Sequence, residues 1–299
     1  MRARDVTVSV VSFNTRDLLR AALAAALASS GVSLEVIVVD NGSNDGSAEM
    51  VEREFPSVRL IRNPDNRGFA AANNLAIRRA AGRYILLLNP DTEVRPETIA
   101  VLAGYLDAHP RTGICGPRIL FPDGSFQSCG YRFPTVLSEI RQSKNVNKAL
   151  KAFVGPETFV ADHPDAREVD WVDGACFMIR RKVVDQIGPL DEQYFLYAEE
   201  LDWCFNARKA GWAIAAVPDT EMVHHLGQSS SQASDRSLGY FMDTRLRYYR
   251  KNRGLATALF VSLVYVAGCL KQMSRERQKS KVKLRAIRLW WGNLLSPRR

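Results

Sequence analysis

Tyr84-Ile85-Leu86-Leu87-Leu88-Asn89-Pro90-Asp91-Thr92 is an apolar run closed by a polar turn. A run this short, with no position left to face water, predicts a strand covered on both sides, as in sheets flanked by helices. Working outward from it, Val6–Ser12 and Leu34–Asp40 are further β-branched runs, and Val58–Arg62 is a short one. Helical patterns fall between them. Arg16–Ser29 carries an Ala/Leu face and stops at Gly31, Gly46–Glu54 is short, and Phe69–Ala81 stops at Gly82, where a C-terminal glycine is expected. Three βα units within residues 6–92 predict an α/β sheet with crossover helices.

Beyond Pro96 the rhythm changes. A helix runs to about His109, a strand follows near Gly113–Pro117, and Asp123-Gly124 predicts a hairpin turn within Leu120–Phe126. Residues 133–166 have weak periodicity and read either as a mobile loop or as a variable connection. Order returns with Val169–Ile179, a helix near Ala198–Ala210, a strand at Ala213–Val217 and a long basic helix from Asp235 to Arg253. The expected division is one α/β domain over 1–254, with a donor half to about 117 and an acceptor half from 118, followed by C-terminal helices over 255–299.

With 46% hydrophobic and 24% charged residues, the 299-residue chain has the composition of a globular enzyme, which excludes a disordered or fibrous class. Its net charge of +9 invites a nucleic-acid reading, yet ten Lys and Arg against one Glu in Lys271–Arg299 supply all of it. Residues 1–270 sum to zero, so no nucleic-acid partner is expected. The five cysteines, Cys115, Cys129, Cys176, Cys204 and Cys269, are odd in number and form no CxxC pair. That disfavours a disulfide framework and a zinc site, and fits a cytoplasmic setting. Met1-Arg2-Ala3-Arg4 leads straight to the strand at Val6, with no apolar core of a secretory signal, so export is not expected.

Leu255–Leu270 is apolar for 16 residues, short of the ~20 that a membrane-spanning helix needs. Farther on, Leu284, Ile287, Trp291 and Leu295 share one helical face, with Lys281, Arg285, Arg288 and Gly292 on another. Such a helix either lies on an anionic membrane surface, with Trp290 and Trp291 at headgroup depth, or packs its stripe on its own domain.

In an α/β sheet, ligands bind beyond the carboxyl ends of the strands. Three of those ends are polar here: Ser12-Phe13-Asn14, Asp40-Asn41-Gly42-Ser43 and Asn89-Pro90-Asp91-Thr92. Each is also ordinary turn chemistry, and it is their agreement on one edge that points to a site. Asp40 can accept from a base N–H or a ribose hydroxyl. No GxGxxG or Walker loop accompanies it, so a bound nucleotide diphosphate needs a metal ion for charge balance, with Asp91 as the hard oxygen ligand.

Ser12-Phe13-Asn14, Val39-Asp40-Asn41-Gly42-Ser43, Asn66-Arg67-Gly68-Phe69-Ala70-Ala71-Ala72-Asn73-Asn74 and Leu88–Thr92 together resemble a family-2 inverting glycosyltransferase of the GT-A fold, in its rhamnosyltransferase-like branch. Trp171–Cys176, Phe195–Cys204 and Val223–Ser229 continue the likeness, in the family's order, over about residues 6–250. The resemblance implies a nucleotide-diphosphate sugar donor, held by Ser12, Asn14, Asp40, Asn66, Gly68, Asn74, Asn89 and Asp91. It implies dTDP-rhamnose as that donor, with UDP- and GDP-sugars left open. Asp91 matches the last acid of the metal-binding Asp-X-Asp, whose first position is Asn89, and the metal is Mg²⁺ or Mn²⁺. Asn73 stands where many relatives carry an Arg, so no guanidinium reaches the phosphates from there.

Glu199-Glu200-Leu201-Asp202 replaces the usual Glu-Asp-X-Asp. Clustered carboxylates raise one another's pKa, which suits a general base, although acids opening a helix also simply complement its dipole. By resemblance Glu200 is the base that deprotonates the acceptor, with Glu199 beside it, and Asp202 lies on the acceptor side. His224, or alternatively His225, matches a histidine near the metal and diphosphate. Trp171 and Asp173 resemble the acceptor-side strand, Trp171 reading either as a sugar platform or as core. The acceptor implied is a glycan or polyprenyl-diphosphate-linked hydroxyl at the inner face of the plasma membrane, in cell-envelope glycan synthesis.

Two competing readings meet specific objections. A sugar-1-phosphate nucleotidyltransferase needs a Gly- and Arg-rich phosphate loop after the first strand, which Asn14-Thr15-Arg16-Asp17 is not. A non-catalytic, membrane-tethered nucleotide-sugar binder would not be expected to keep all of Glu199, Glu200 and Asp202.

Overall fold

The computed structural model describes residues 5–128, 130–142, 168–225 and 234–275. Cys129, the Ser-rich turn after His225 and the tail beyond 275, with its Trp290 and Trp291 face, lie outside the described residues. The chain forms two compact units.

The first unit, described over 5–132, 168–192 and 199–225, is built on one mixed sheet. Its strands are β1 (Val6–Ser12), β2 (Leu34–Asp40), β3 (Arg59–Arg62), β4 (Tyr84–Leu88), β5 (Thr92–Val94), β6 (Thr112–Leu120), β7 (Phe126–Ser128), β8 (Glu168–Val169), β9 (Cys176–Arg180) and β10 (Ala213–His224). They are ordered β3-β2-β1-β4-β9-β6-β10-β5, with β7 on β6 and β8 on β10. Helices α1 (Arg16–Leu27), α2 (Ser47–Glu54), α3 (Phe69–Ile77), α4 (Thr98–Ala108), α6 (Arg181–Ile187) and α7 (Glu199–Lys209) belong to this unit, and α5 (Val136–Gln142) to the other.

Strands β1 to β4 are mutually parallel where they pair, as the βα units predict. Alternation sorts their side chains to two faces. Val6, Val8 and Val10 enter one core with Leu19, Leu23 and Ala26 of α1 and Ile99, Leu102 and Leu106 of α4. Val11, Ile37 and Val39 meet Ala72 and Ala76 of α3 on the opposite face. Each fully buried Val or Leu contributes about 1.5–3 kcal/mol of transfer free energy, so this two-sided burial holds the strand ends in register.

Several features depart from the sequence reading. The third helix ends at Ile77, short of Ala81. Gly82 is required for close approach rather than as a helix terminator: a Cβ there would stand 2.5 Å from the Thr7 backbone nitrogen and 2.7 Å from the Tyr84 carbonyl. Strand β10 continues from Val217 to His224 across a register shift at Pro218, where the missing N–H interrupts the ladder and disguises the strand in sequence. Strand β9 inserts antiparallel between β4 and β6, pairing Leu88 with Cys176. Cys115, Cys176 and Cys204 are buried and free.

The second unit, described over 133–142, 193–198 and 234–275, contains α5, α8 (Ser234–Arg253) and α9 (Leu255–Arg275). Gly254, at φ +88°, breaks the chain between the last two in a conformation that a side chain disfavours. The boundary expected at 254 thus falls between two helices of one unit. The buried Glu139 carboxylate of α5 accepts hydrogen bonds from Tyr249 of α8, at 3.0 Å, and from Tyr265 of α9. Both phenols are pushed up, first by burial and then by the Glu139 charge. Leu255, Leu259, Phe260 and Leu263 remain exposed on α9. Among the described residues, no helix is long and apolar enough to cross a membrane.

Candidate active site

Register brings the polar strand ends together. Ser12 pairs with Asp40 and Asp40 with Arg62, while the Asn89 N–H donates to the Ala175 carbonyl at 3.0 Å, drawing the 173–175 turn to the end of β4. The loops after β1 and β2 are stitched to each other. Asn14, in the left-handed region at φ 54°, donates its N–H to Ser43 Oγ at 3.0 Å and accepts the Asn44 N–H at 2.9 Å. Ser12 is fully buried against Thr15, with their hydroxyls 2.9 Å apart, so it shapes this loop from beneath.

Asp40 is only 4% exposed. Its Oδ2 accepts the Ser43 N–H at 3.1 Å, whereas Oδ1 is buried with no hydrogen-bond partner among the described residues. A desolvated acceptor of this kind is costly to leave unmade, and a ligand N–H or O–H relieves that cost. Gly42, at φ +82°, presses on the neighbouring loop so closely that a Cβ would stand 2.9 Å from Asp65 Cα.

Sequence reasoning missed the next residue, Asn41. Its Nδ2 donates to Asn66 Oδ1 at 2.9 Å and to the Gly68 carbonyl at 3.3 Å, and its Oδ1 accepts from Asn63 Nδ2 at 2.9 Å and the Arg67 N–H at 3.2 Å. Asn66 Oδ1 also accepts the Gly68 N–H at 3.0 Å, with Gly68 at φ +83°. Asn41 therefore ties the 63–68 loop to the end of β2, and its place between Asp40 and Gly42 was the available signal.

Asn74 departs from its expected place beside the donor. It is fully buried, donates to the Leu190 carbonyl at 2.8 Å and to Glu192 Oε1 at 3.0 Å, and accepts the Leu190 N–H at 3.1 Å. With both N–H groups used within the protein, it fastens α3 to the chain around Leu190. Asn73 likewise turns inward, accepting from Ser9 Oγ at 2.7 Å.

Past β4, the Asn89 carbonyl accepts from Thr92 Oγ1 at 2.7 Å, closing the turn that presents Asp91. The β10–β5 register pairs His224 with Thr92, and His224 Nε2 lies 3.4 Å from Asp91 Oδ1, both residues being buried. The His225 ring points elsewhere, 2.7 Å from Glu93 Oε1, while its backbone N–H donates to the Asp91 carbonyl at 2.9 Å. No group of three or more metal-ligating side chains occurs among the described residues. A buried carboxylate oxygen and an imidazole nitrogen side by side are still a donor set that fits a divalent cation, if ligand oxygens and water complete the sphere.

The acidic trio opens α7. Glu199 is buried, and burial first, then the neighbouring Glu200 charge, push its carboxyl pKa well above the usual range. Glu200 is less buried and runs along the 173–175 turn: a Cβ on Gly174 would lie 3.6 Å from Glu200 Cγ. Asp202 is buried and accepts from Asn206 Nδ2 at 3.2 Å. Asp173 Oδ1 accepts the Ala175 N–H at 2.9 Å, shaping that turn. Trp171 is partly exposed rather than core, donates Nε1–H to the Arg132 carbonyl at 3.1 Å, and stacks on Tyr131 with ring centroids 4.3 Å apart. Tyr131 was not foreseen.

The profile of Glycosyl transferase family 2 matches residues 7–188. The chain is 30% identical over 220 residues, 67% of its length and 69% of the relative's, to the N-acetylglucosaminyl-diphospho-decaprenol L-rhamnosyltransferase of Mycobacterium tuberculosis. It is 25% identical over 220 residues, 72% of its length and 67% of the relative's, to a dTDP-rhamnosyl transferase of Shigella flexneri. Among solved structures, a mannosyltransferase of Pyrobaculum calidifontis in complex with GDP-mannose and Mn²⁺ superposes with a TM-score of 0.61 at 17% identity, covering 100% of this chain and 89% of that one.

Proposed function

The chain belongs to glycosyl transferase family 2 and is a glycosyltransferase of the GT-A fold; from that premise we propose that it moves L-rhamnose from dTDP-rhamnose, with inversion, to a hydroxyl of a polyprenyl-diphosphate-linked glycan. The observation that carries this reading is the convergence of Asp40, Asp91, His224 and the turn beside Glu200 at one sheet edge. The names of the mycobacterial and Shigella relatives support the sugar and the lipid-linked acceptor.

Each residue has a role set by its chemistry. Asp40 Oδ1 accepts from the base, which fixes the nucleotide end of the donor. Asp91 and His224 would hold Mg²⁺ or Mn²⁺, and the cation's charge offsets that of the departing diphosphate. Glu200 takes the proton of the acceptor hydroxyl as its oxygen attacks the anomeric carbon in line, while the nucleoside diphosphate leaves from the opposite face. Glu199, neutral beside it, keeps a second negative charge away from the acceptor. Trp171, stacked on Tyr131, offers an apolar face to a sugar, and Asp173 and Asp202 keep that side in shape.

The second unit supplies a means of meeting a lipid-borne acceptor. Arg250, Lys251 and Arg253 end α8, and the exposed Leu255, Leu259, Phe260 and Leu263 follow on α9. Basic side chains near an anionic bilayer contribute about 1 kcal/mol each, so this surface supports peripheral attachment at the inner face of the membrane. The basic tail adds to the same attraction.

A donor panel tests the reading. With Mn²⁺ and no acceptor, slow hydrolysis is expected for dTDP-rhamnose above UDP- and GDP-sugars, and EDTA should abolish it. Selective hydrolysis of a UDP- or GDP-sugar would replace the donor, whereas binding without turnover, even with lipid-linked acceptor added, would mark a non-catalytic binder.

A further inference from the structure

We propose that Gln127 is the positioning residue for His224: its side-chain carbonyl accepts the imidazole Nδ1–H and so turns the Nε2 lone pair toward Asp91. The inference rests on the reading of Asp91 and His224 as ligands of the divalent cation. It concerns a residue that the sequence pattern did not single out.

Three observations converge on Gln127. Ile119 pairs with Ser128 and Leu120 with Phe126, so Gln127 is the extra residue of a bulge in β7. Bulges redirect a side chain beside a site. Gln127 Nε2 lies 3.3 Å from His224 Nδ1. Its Oε1 is buried, with no hydrogen-bond partner among the described residues.

A neutral imidazole has one N–H and one lone pair, and the partner of one nitrogen dictates the state of the other. If Gln127 donates to Nδ1, the proton sits on Nε2 and faces Asp91 Oδ1, 3.4 Å away. That arrangement leaves no lone pair for a cation. The two ends of a carboxamide have the same shape, so half a turn about its last torsion puts Oε1 where Nε2 stands. Nδ1 then carries the proton and donates it to Oε1, and Nε2 is free beside the carboxylate. Being neutral, the amide does this without adding negative charge next to a diphosphate, which a carboxylate at this position would do.

The experiment measures Mn²⁺ affinity of the full chain by the EPR signal of free Mn²⁺, with Mn²⁺ alone and with dTDP or UDP present. It is paired with ¹⁵N NMR of the histidine rings in Mg²⁺. Gln127→Leu, similar in size but without an acceptor, should weaken Mn²⁺ binding by about 10–100-fold, the usual loss for a residue orienting a ligand histidine. Gln127→Glu keeps the acceptor and should hold Mn²⁺ at least as tightly as the parent chain, with His224 as the Nδ1–H tautomer. Equal loss in both variants, or an Nε2–H tautomer in the parent and in Gln127→Glu, would overturn the proposal. His224→Ala separates the two levels. Unchanged affinity in that variant overturns the ligand reading and all that rests on it, whereas unchanged affinity in Gln127→Leu alone overturns only the role of Gln127.

Discussion

Glu200→Gln is expected to keep donor affinity while transfer falls by about 10²–10⁴-fold, the range for loss of a general base. Glu199→Gln is expected to leave transfer within a few-fold of the parent chain. The contrast follows from burial. Glu199 is desolvated and faces the Glu200 charge, so its carboxyl holds its proton to a pH well above the usual range. Burial and the neighbouring charge favour the neutral form of Glu199, which leaves the more exposed Glu200 as the carboxylate beside the 173–175 turn. Glu200 lies along Gly174, beside the turn that carries Asp173. The same shift has a stability consequence with a definite sign. Because the folded pKa of Glu199 is raised above its unfolded value, the stability contributed by its neutral form is full below the unfolded value and is lost as pH rises through the folded one. Urea midpoints should therefore decline toward alkaline pH in the parent chain and less so in Glu199→Gln. Near-normal transfer in Glu200→Gln would move the base to another group.

Asp91→Ala is the second large effect. With Asn89 in place of a further acid, no carboxylate of the strand-end turn can substitute. Metal-dependent nucleotide binding should disappear, and transfer should fall by at least about 10²–10³-fold, as when one electrostatic stabiliser of a developing charge is removed. Calorimetry of dTDP binding with Mn²⁺ and then with EDTA checks this. An affinity that is the same in parent and variant, with and without chelator, would contradict the assignment.

The half of the molecule that could be read from sequence is the half governed by local pattern. A buried strand has no reason to end in Asp or Asn unless the chain turns or a ligand waits there, so Asp40 and Asp91 stood out beside β2 and β4. Glu199, Glu200 and Asp202 were legible because three acids fall within four residues where a helix begins. What stayed hidden depends on pairing across long separations. Asn74 and Leu190 meet across 116 residues, and Gln127 and His224 across 97. Asn74 therefore looked like a donor contact until its partner was visible, and Gln127 looked like part of a hairpin. Strand β10 was cut short at Pro218 because a proline without an N–H mimics a strand end even where the ladder resumes. Asn41 was passed over as turn chemistry, although four hydrogen bonds of its carboxamide organise the 63–68 loop.

The central claim is a single in-line displacement with Glu200 as base, and the stereochemistry of the product tests it most directly. The full chain would be supplied with Mn²⁺, dTDP-β-L-rhamnose and a polyprenyl-diphosphate-linked N-acetylglucosamine acceptor, and the new linkage read from its one-bond anomeric carbon–proton coupling. An α-L-rhamnoside, inverted relative to the donor, is the predicted result. A β-L-rhamnoside, which requires two displacements or attack on the face of the leaving group, would contradict it.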